Sequence, residues 1–455
     1  MWPLRTIAYF ILFWTGCVMA VANPIYGVIT YMLVYQANPT VTWWGLPLVK
    51  IGMRFSLFAA GATVIGLIFG RRRVPDLHPG FSLWEVSIVG LVVIAAFNLV
   101  LGVGIYPSTT QTIDKFWKII LFVLILTRLG STRKNLRLII WALVAGSAYI
   151  GYDAYTAPPD AFLLGRLERI GGPDFSTTSG AAAHLVAMLP IIGGAYLIAP
   201  NWRYRAFAAV TGAMTFNAVI LCRTRSAFLG LCTGILAAII FAPRVKRFRI
   251  YLLLGAGAVA AFSLTDANFW HRMNTLTSRK TLQADAAARS RQEIWQAALD
   301  MLSDHPLGVG PGNFTQTIGD YNPIHRWRAS HNSVVACFTE LGVQGGVLFL
   351  LIMAGAVRNL QSAKRLARDC EYPTETIILS YALFASFVTY AVTALGTQRL
   401  YCESFWWVMA LPLCLLRATA REAYRTDEEP LLVQQPRPVS PTAPLAGYGS
   451  RPYVW

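Results

Sequence analysis

Twelve long apolar runs fill this sequence, and few architectures can accommodate them. They cover approximately 7–37, 46–70, 83–104, 114–129, 136–154, 180–199, 204–222, 225–243, 250–265, 333–357, 376–396 and 402–417. A hydrocarbon core about 30 Å thick takes roughly 20 apolar residues per helix. In lipid a helix satisfies its own backbone hydrogen bonds. The runs are continuous and do not alternate, which excludes a transmembrane β-barrel. The sequence predicts an all-α polytopic membrane protein, a bundle of about 12 transmembrane helices. Composition agrees: 13% of the 455 residues are charged, against about 25% in a soluble domain.

The net charge of +17 has a topological reading. Lys and Arg sit in short connectors: Arg71-Arg72-Arg73, Arg133 to Arg137, Arg203 and Arg205, Arg244 to Arg249, Arg358 to Arg368, and Arg417 to Arg425. Such connectors stay in the cytoplasm. Segments 38–45, 105–113, 155–179, 266–332 and 397–401 then lie outside. No basic block is interleaved with aromatics, so nucleic acid is not an expected partner. Two crossings in the first run would put Arg5 outside. One crossing kinked at Asn23-Pro24 keeps it in the cytoplasm, and positive-inside bias favours that choice; a re-entrant hairpin would also serve. The first run reads as a retained span, not a cleaved signal. Seven Cys show neither a CxxC pair nor a dense secreted pattern, so neither disulfides nor a zinc site is expected.

Two segments interrupt the membrane pattern. From 426 the chain turns rich in Pro, Ser and Gln, which predicts a disordered cytoplasmic tail over 426–455 beyond a membrane domain of 1–425. Its Pro438, Pro441 and Pro444 spacings could bind a partner. The other segment, 266–332, is the one long extracytoplasmic loop. Residues 286–303 read as an amphipathic helix with Ile294, Trp295, Ala298, Leu299 and Leu302 on one face. His305-Pro306 ends it, and Leu307 to Phe314 forms a tight Gly/Pro turn.

This loop concentrates cations where membrane proteins avoid them. Arg289 and Arg291 lie on the amphipathic helix; His325, Arg326, Arg328 and His331 precede a span. Arg223 and Arg225 start another span at its outer end. A guanidinium donates two parallel hydrogen bonds to phosphate oxygens and keeps its charge. Arginines facing one point would hold a lipid diphosphate and stabilise its departure. The plainer alternative is contact with anionic lipid or Glu293. His331 could take a proton from a hydroxyl, or be a histidine at a helix start with Asn332 or Ser333 as cap. Lys115 and Lys118 could face a cavity or snorkel. Glu340, about two turns into the helix, is an intramembrane acid and so a functional candidate. Asp174 and His184 flank the 155–179 loop.

His331-Asn332, nine further residues, Gly342, two residues and Gly345 resemble the H-[NSQ]-x9-G-x-x-G pattern of the O-antigen ligase superfamily. Glu340-Leu341-Gly342 sits where that family often has the same three. Ser290-Arg291 with Trp295, then His305 to Phe314, resembles its large extracytoplasmic loop. Thr224-Arg225-Ser226-Ala227 is similar to one of its helix starts. The N-terminal third, with Asn23-Pro24, Pro39 and Trp43-Trp44, resembles the exosortase-associated O-glycosylation ligase branch.

The resemblance implies a metal-independent inverting glycosyltransferase without cofactor. Arg225 and Arg291 would bind undecaprenyl diphosphate, and His331 would sit at the reacting centre. Arg289, Arg223, Arg328, Asn332, Glu340 and Lys118 are the candidate substrate-binding residues. The expected reaction moves a glycan from undecaprenyl diphosphate to a lipid, glycan or protein acceptor, outside a bacterial cytoplasmic (inner) membrane. An O-antigen or exopolysaccharide polymerase would use the same donor. A lipid-linked glycan transporter would place charges near the midplane.

Overall fold

A computed structural model describes residues 3–70, 81–168, 170–175, 177–274 and 286–433. The connector Arg71-Arg72-Arg73 and the segment 434–455, with Pro438, Pro441 and Pro444, lie outside the described residues. The expected all-α chain is what the structure contains: a two-residue antiparallel strand pair at Phe162–Leu163 and Arg166–Leu167 is the only sheet among the described residues. The last helix runs from Glu403 to Val433.

Eight described helices are long and apolar enough to cross a membrane, or nine if the bent pair Trp43–Lys50 and Phe55–Phe69, angled by 69°, is one span. That is fewer than the twelve runs, for identifiable reasons. Arg225–Ile240 has only 16 residues. Pro107–Leu129 carries Asp114, Lys115, Lys118 and Arg128. The first run is two helices, Leu4–Ala22 and Ile25–Ala37, broken where Asn23 turns extended before Pro24. Proline lacks an N–H and clashes with a continuing helix.

That break overturns the single kinked crossing. The two helices fold back on each other: a Cβ on Gly16 would strike the Thr30 side chain, and one on Gly27 would meet Ala20 and Thr63. Arg5 donates to the Tyr152 hydroxyl at 2.9 Å, and Asn38 donates to the Gly171 carbonyl at 3.1 Å. Both ends of the hairpin therefore meet the end of the bundle that carries segment 155–175. Arg5 belongs with the end read as outside, not with the basic connectors.

The opposite end is fixed by ion pairs. Arg417 binds Glu85 through two hydrogen bonds of 2.8 and 2.5 Å, with Glu85 wholly buried. Arg133 grips Glu422 at 2.9 and 2.8 Å, and Arg137 pairs with Glu375. Part of the positive-inside signal is thus structural: these forks join helices distant in sequence. The core between the ends holds Phe405, Trp406 and Trp407 of the last helix, all fully buried. Close packing uses small residues: Gly230 and Gly234 lie against Thr393 and Thr389, and Gly194 against Ala382. The outside is apolar. Phe69, Phe248 and Phe262 are exposed, and only 6% of the Arg244–Leu264 window is buried. A continuous apolar surface of this kind is lipid-facing.

Candidate functional site at the loop end

The site rests on a backbone break. Ser333–Leu366 is one long helix interrupted at Gly342, where φ is 74° and ψ is −179°. A break frees carbonyls and amides that must find partners. Loop residues 306–312 supply them. Val309 N–H donates to the Thr339 carbonyl at 2.9 Å, Gly310 N–H to Glu340 O at 3.0 Å, and Val343 N–H to Pro306 O at 2.9 Å. Asn98 Nδ2 reaches both Leu307 O and Glu340 O, at 2.9 and 3.2 Å. The motifs Leu307–Phe314 and Glu340-Leu341-Gly342 are therefore two halves of one clamp. Gly308, at φ 101°, is needed there, since a Cβ would lie 2.5 Å from Gly342 N.

From this clamp the loop helix Ala286–Asp304 packs back on the site. Ile294, Ala297, Ala298 and Met301 bury against Val309, Phe314 and Ile318. The expected apolar face was partly misread: Leu299 is exposed. The buried stripe follows 294, 297, 298 and 301, and at 3.6 residues per turn Leu299 points roughly 140° from Ile294. Two polar ties hold segment 325–330 to this helix. His325 Nε2 meets Glu293 at 2.5 Å, and Trp295 Nε1 donates to Ser330 O at 2.8 Å. Glu293 is thus engaged by His325.

These ties set His331 at the mouth of the long helix. It takes a left-handed backbone with φ 49°. An L-residue adopts that conformation at a cost of roughly 1–2 kcal/mol, and such strain concentrates at functional sites. Asn332 is the helix cap: its Oδ1 accepts from Val334 N–H at 2.9 Å and Val335 N–H at 3.2 Å. The imidazole keeps contact with solvent. Partial burial and the positive charges of Arg291, Arg328 and Arg399 hold its pKa below the usual histidine value. An imidazole whose proton affinity is lowered in this way is more readily neutral, the form that can accept a proton.

The candidates divide. Arg291 and Arg328 act on His331. Arg225 is half-buried at the first turn of Arg225–Ile240. Its neighbour Ser226 packs on Gly396, next to Thr397, whose carbonyl accepts from the Ser333 hydroxyl at 3.1 Å. Arg225 is therefore at the same end of the bundle and one connector away from His331. Arg289 is exposed on the loop helix. Arg223 pairs with Asp266 at 2.5 Å and lies against Gly165. Among the described residues no His/Cys/Asp/Glu group could hold a metal.

Three candidates have other partners. Asn332 is spent on the cap. Lys118 is exposed and pairs with Asp114 one turn away at 2.6 Å, beside the Trp117 ring. Such a surface pair contributes little. Lys118→Ala should leave transfer within about twofold of wild type in membrane assays; a larger loss would return Lys118 to the site. Glu340 is buried and accepts from Gly312 N–H at 2.9 Å and the Tyr401 hydroxyl at 2.6 Å. It holds the Gly/Pro turn. Glu340→Ala strands both donors, at about 1–3 kcal/mol each. We expect a clearly lower melting temperature for the purified variant. An unchanged melting temperature with a raised donor KM would mean that Glu340 touches substrate.

Sequence reading missed Arg399, whose charge also reaches His331. The available signal was an arginine in the short segment 397–401, read as outside, where positive residues are disfavoured.

No curated protein matches the chain. Residues 207–350 match the family model described as O-antigen ligase, and that stretch carries Arg225, the loop, His331 and Gly342. The chain is thus a multi-pass membrane protein whose residues 207–350 match the O-antigen ligase family.

Proposed function

We propose that this protein transfers a glycan from undecaprenyl diphosphate to an acceptor hydroxyl at the extracytoplasmic face of a bacterial cytoplasmic membrane. The reading is supported by the placement of His331 at the mouth of the long helix, within reach of the positive charges of Arg291 and Arg328, inside the stretch that matches the O-antigen ligase family. Arg291 and Arg225 bind the diphosphate oxygens, with Arg289 and Arg328 adding positive potential. The acceptor oxygen attacks the anomeric carbon from the face opposite the phosphate, so configuration inverts. The bond between that carbon and the phosphate oxygen breaks, and its electron pair leaves with the diphosphate. The hydroxyl proton passes to His331. Guanidiniums aimed at the leaving oxygens stabilise the charge that gathers there.

Purified protein in proteoliposomes, given undecaprenyl diphosphate glycan and candidate acceptors, should form a new glycoside. Movement of the lipid-linked glycan across the bilayer without a new bond would instead mark a transporter. The polymerase reading shares donor and chemistry. A deletion strain that accumulates polymer on the lipid carrier favours ligation; one that accumulates single repeat units favours polymerisation.

A further inference from the structure

Arg399 is held in an unusual way. It is 9% exposed. Its guanidinium donates to the Asp174 carbonyl at 3.0 Å and to Thr397 Oγ1 at 3.4 Å. It also packs on Gly180, in the first turn of Thr178–Ile198. Among the described residues no carboxylate forms an ion pair with it, and Nε has no partner. The Asp174 carboxylate is turned to Lys115 and to the Tyr35 hydroxyl. A buried cation beside the positive end of a helix, without a paired carboxylate, is costly. Its backbone is tied to the site: Arg399 N–H donates to Ser333 Oγ at 2.7 Å, and that hydroxyl donates to Thr397 O. Ser333 is two residues from His331.

We propose that Arg399 is a positioning residue for His331. It locks segment 397–401 onto the start of the histidine's helix and keeps the imidazole ready to accept the acceptor's proton. The inference rests on the transfer reaction proposed above.

The charged groups acting on His331 are Arg291 from the loop helix, Arg328 from its own segment and Arg399 from the connector. All are cations, and each lowers the imidazole's proton affinity. The neutral form is present above the histidine's folded pKa and is lost as pH falls through it. Removing the Arg399 charge raises that pKa, so activity should fail at a higher pH.

The test is the pH profile of transfer in proteoliposomes for wild type, Arg399→Gln and Arg399→Lys. The Gln variant should lose more of its pH 8 rate by pH 6 than wild type does, approaching the roughly fourfold loss of a histidine with the ordinary pKa of about 6.5. The Lys variant should keep the wild-type profile. Equal rate losses at every pH in both variants would mean a purely structural role and overturn the proposal. Should the Gln variant fail to insert, Arg399→Met, which keeps the alkyl stem and removes the charge, takes its place. Half-maximal diethylpyrocarbonate labelling of His331 should then come at a higher pH than in wild type; an unchanged labelling curve overturns the proposal. A wild-type enzyme that forms no glycoside under any condition refutes the transferase reading itself, which separates the two failures.

Discussion

Replacing His331 or Arg291 with alanine is expected to abolish transfer while the protein still inserts and purifies. Each general base or oxyanion-type donor commonly contributes about 10²-fold or more in rate. His331 lies at a helix mouth with its side chain open to solvent. The adjacent cap belongs to Asn332, so the helix start survives its loss. The Arg291 charge acts on the imidazole; removing it would take away the proposed diphosphate ligand and raise the histidine's proton affinity together. Initial rates in proteoliposomes, normalised to folded protein, provide the check. Full activity in either variant would mean that the reaction occurs elsewhere.

The second large effect is on folding. Gly342→Ala and Gly308→Ala should each unseat the loop from the broken helix. At φ 74°, ψ −179°, Gly342 occupies a region essentially reserved for glycine, and its new Cβ would lie 2.4 Å from the Leu307 carbonyl. Gly308→Ala drives a methyl to 2.5 Å from Gly342 N. Strain of about 1–3 kcal/mol from backbone alone adds to the clash. Little monodisperse protein should be recovered on size exclusion. Gly255→Ala is the control: nothing lies within 4 Å of its Cβ position, so recovery should be unchanged or improved.

Much of this fold was legible because lipid imposes one pattern. A run such as 180–199 is helix in any reading, and it is found at Thr178–Ile198. Legibility failed where the hydrophobic signal says nothing about connection. Residues 7–37 are apolar throughout, and only Asn23-Pro24 encodes the hairpin. Positive-inside counting grouped Arg5 with the basic connectors, whereas its bond to Tyr152 puts it at the end of the bundle that carries segment 155–175. The ordered motifs pointed to Arg291 and His331 as candidates, and the structure adds what joins the two stretches of chain. The loop motif and the Gly342 motif bind each other's backbone, and no single-residue reading anticipates a clamp. Glu340 is a functional candidate because intramembrane acids usually are; the structure adds that its Oε2 accepts from both Gly312 and Tyr401 and so ties the Gly/Pro turn to the helix. Arg399 escaped notice because its importance lies in contacts with Ser333 and Asp174, far away in sequence.

The most direct measurement is an experimental structure of the protein in lipid with undecaprenyl diphosphate bound. The account places the phosphate oxygens within hydrogen-bond reach of the Arg225 and Arg291 guanidiniums, with His331 facing the phosphate that carries the glycan. A diphosphate bound at another surface, with Arg291 and His331 turned from it, would contradict the account.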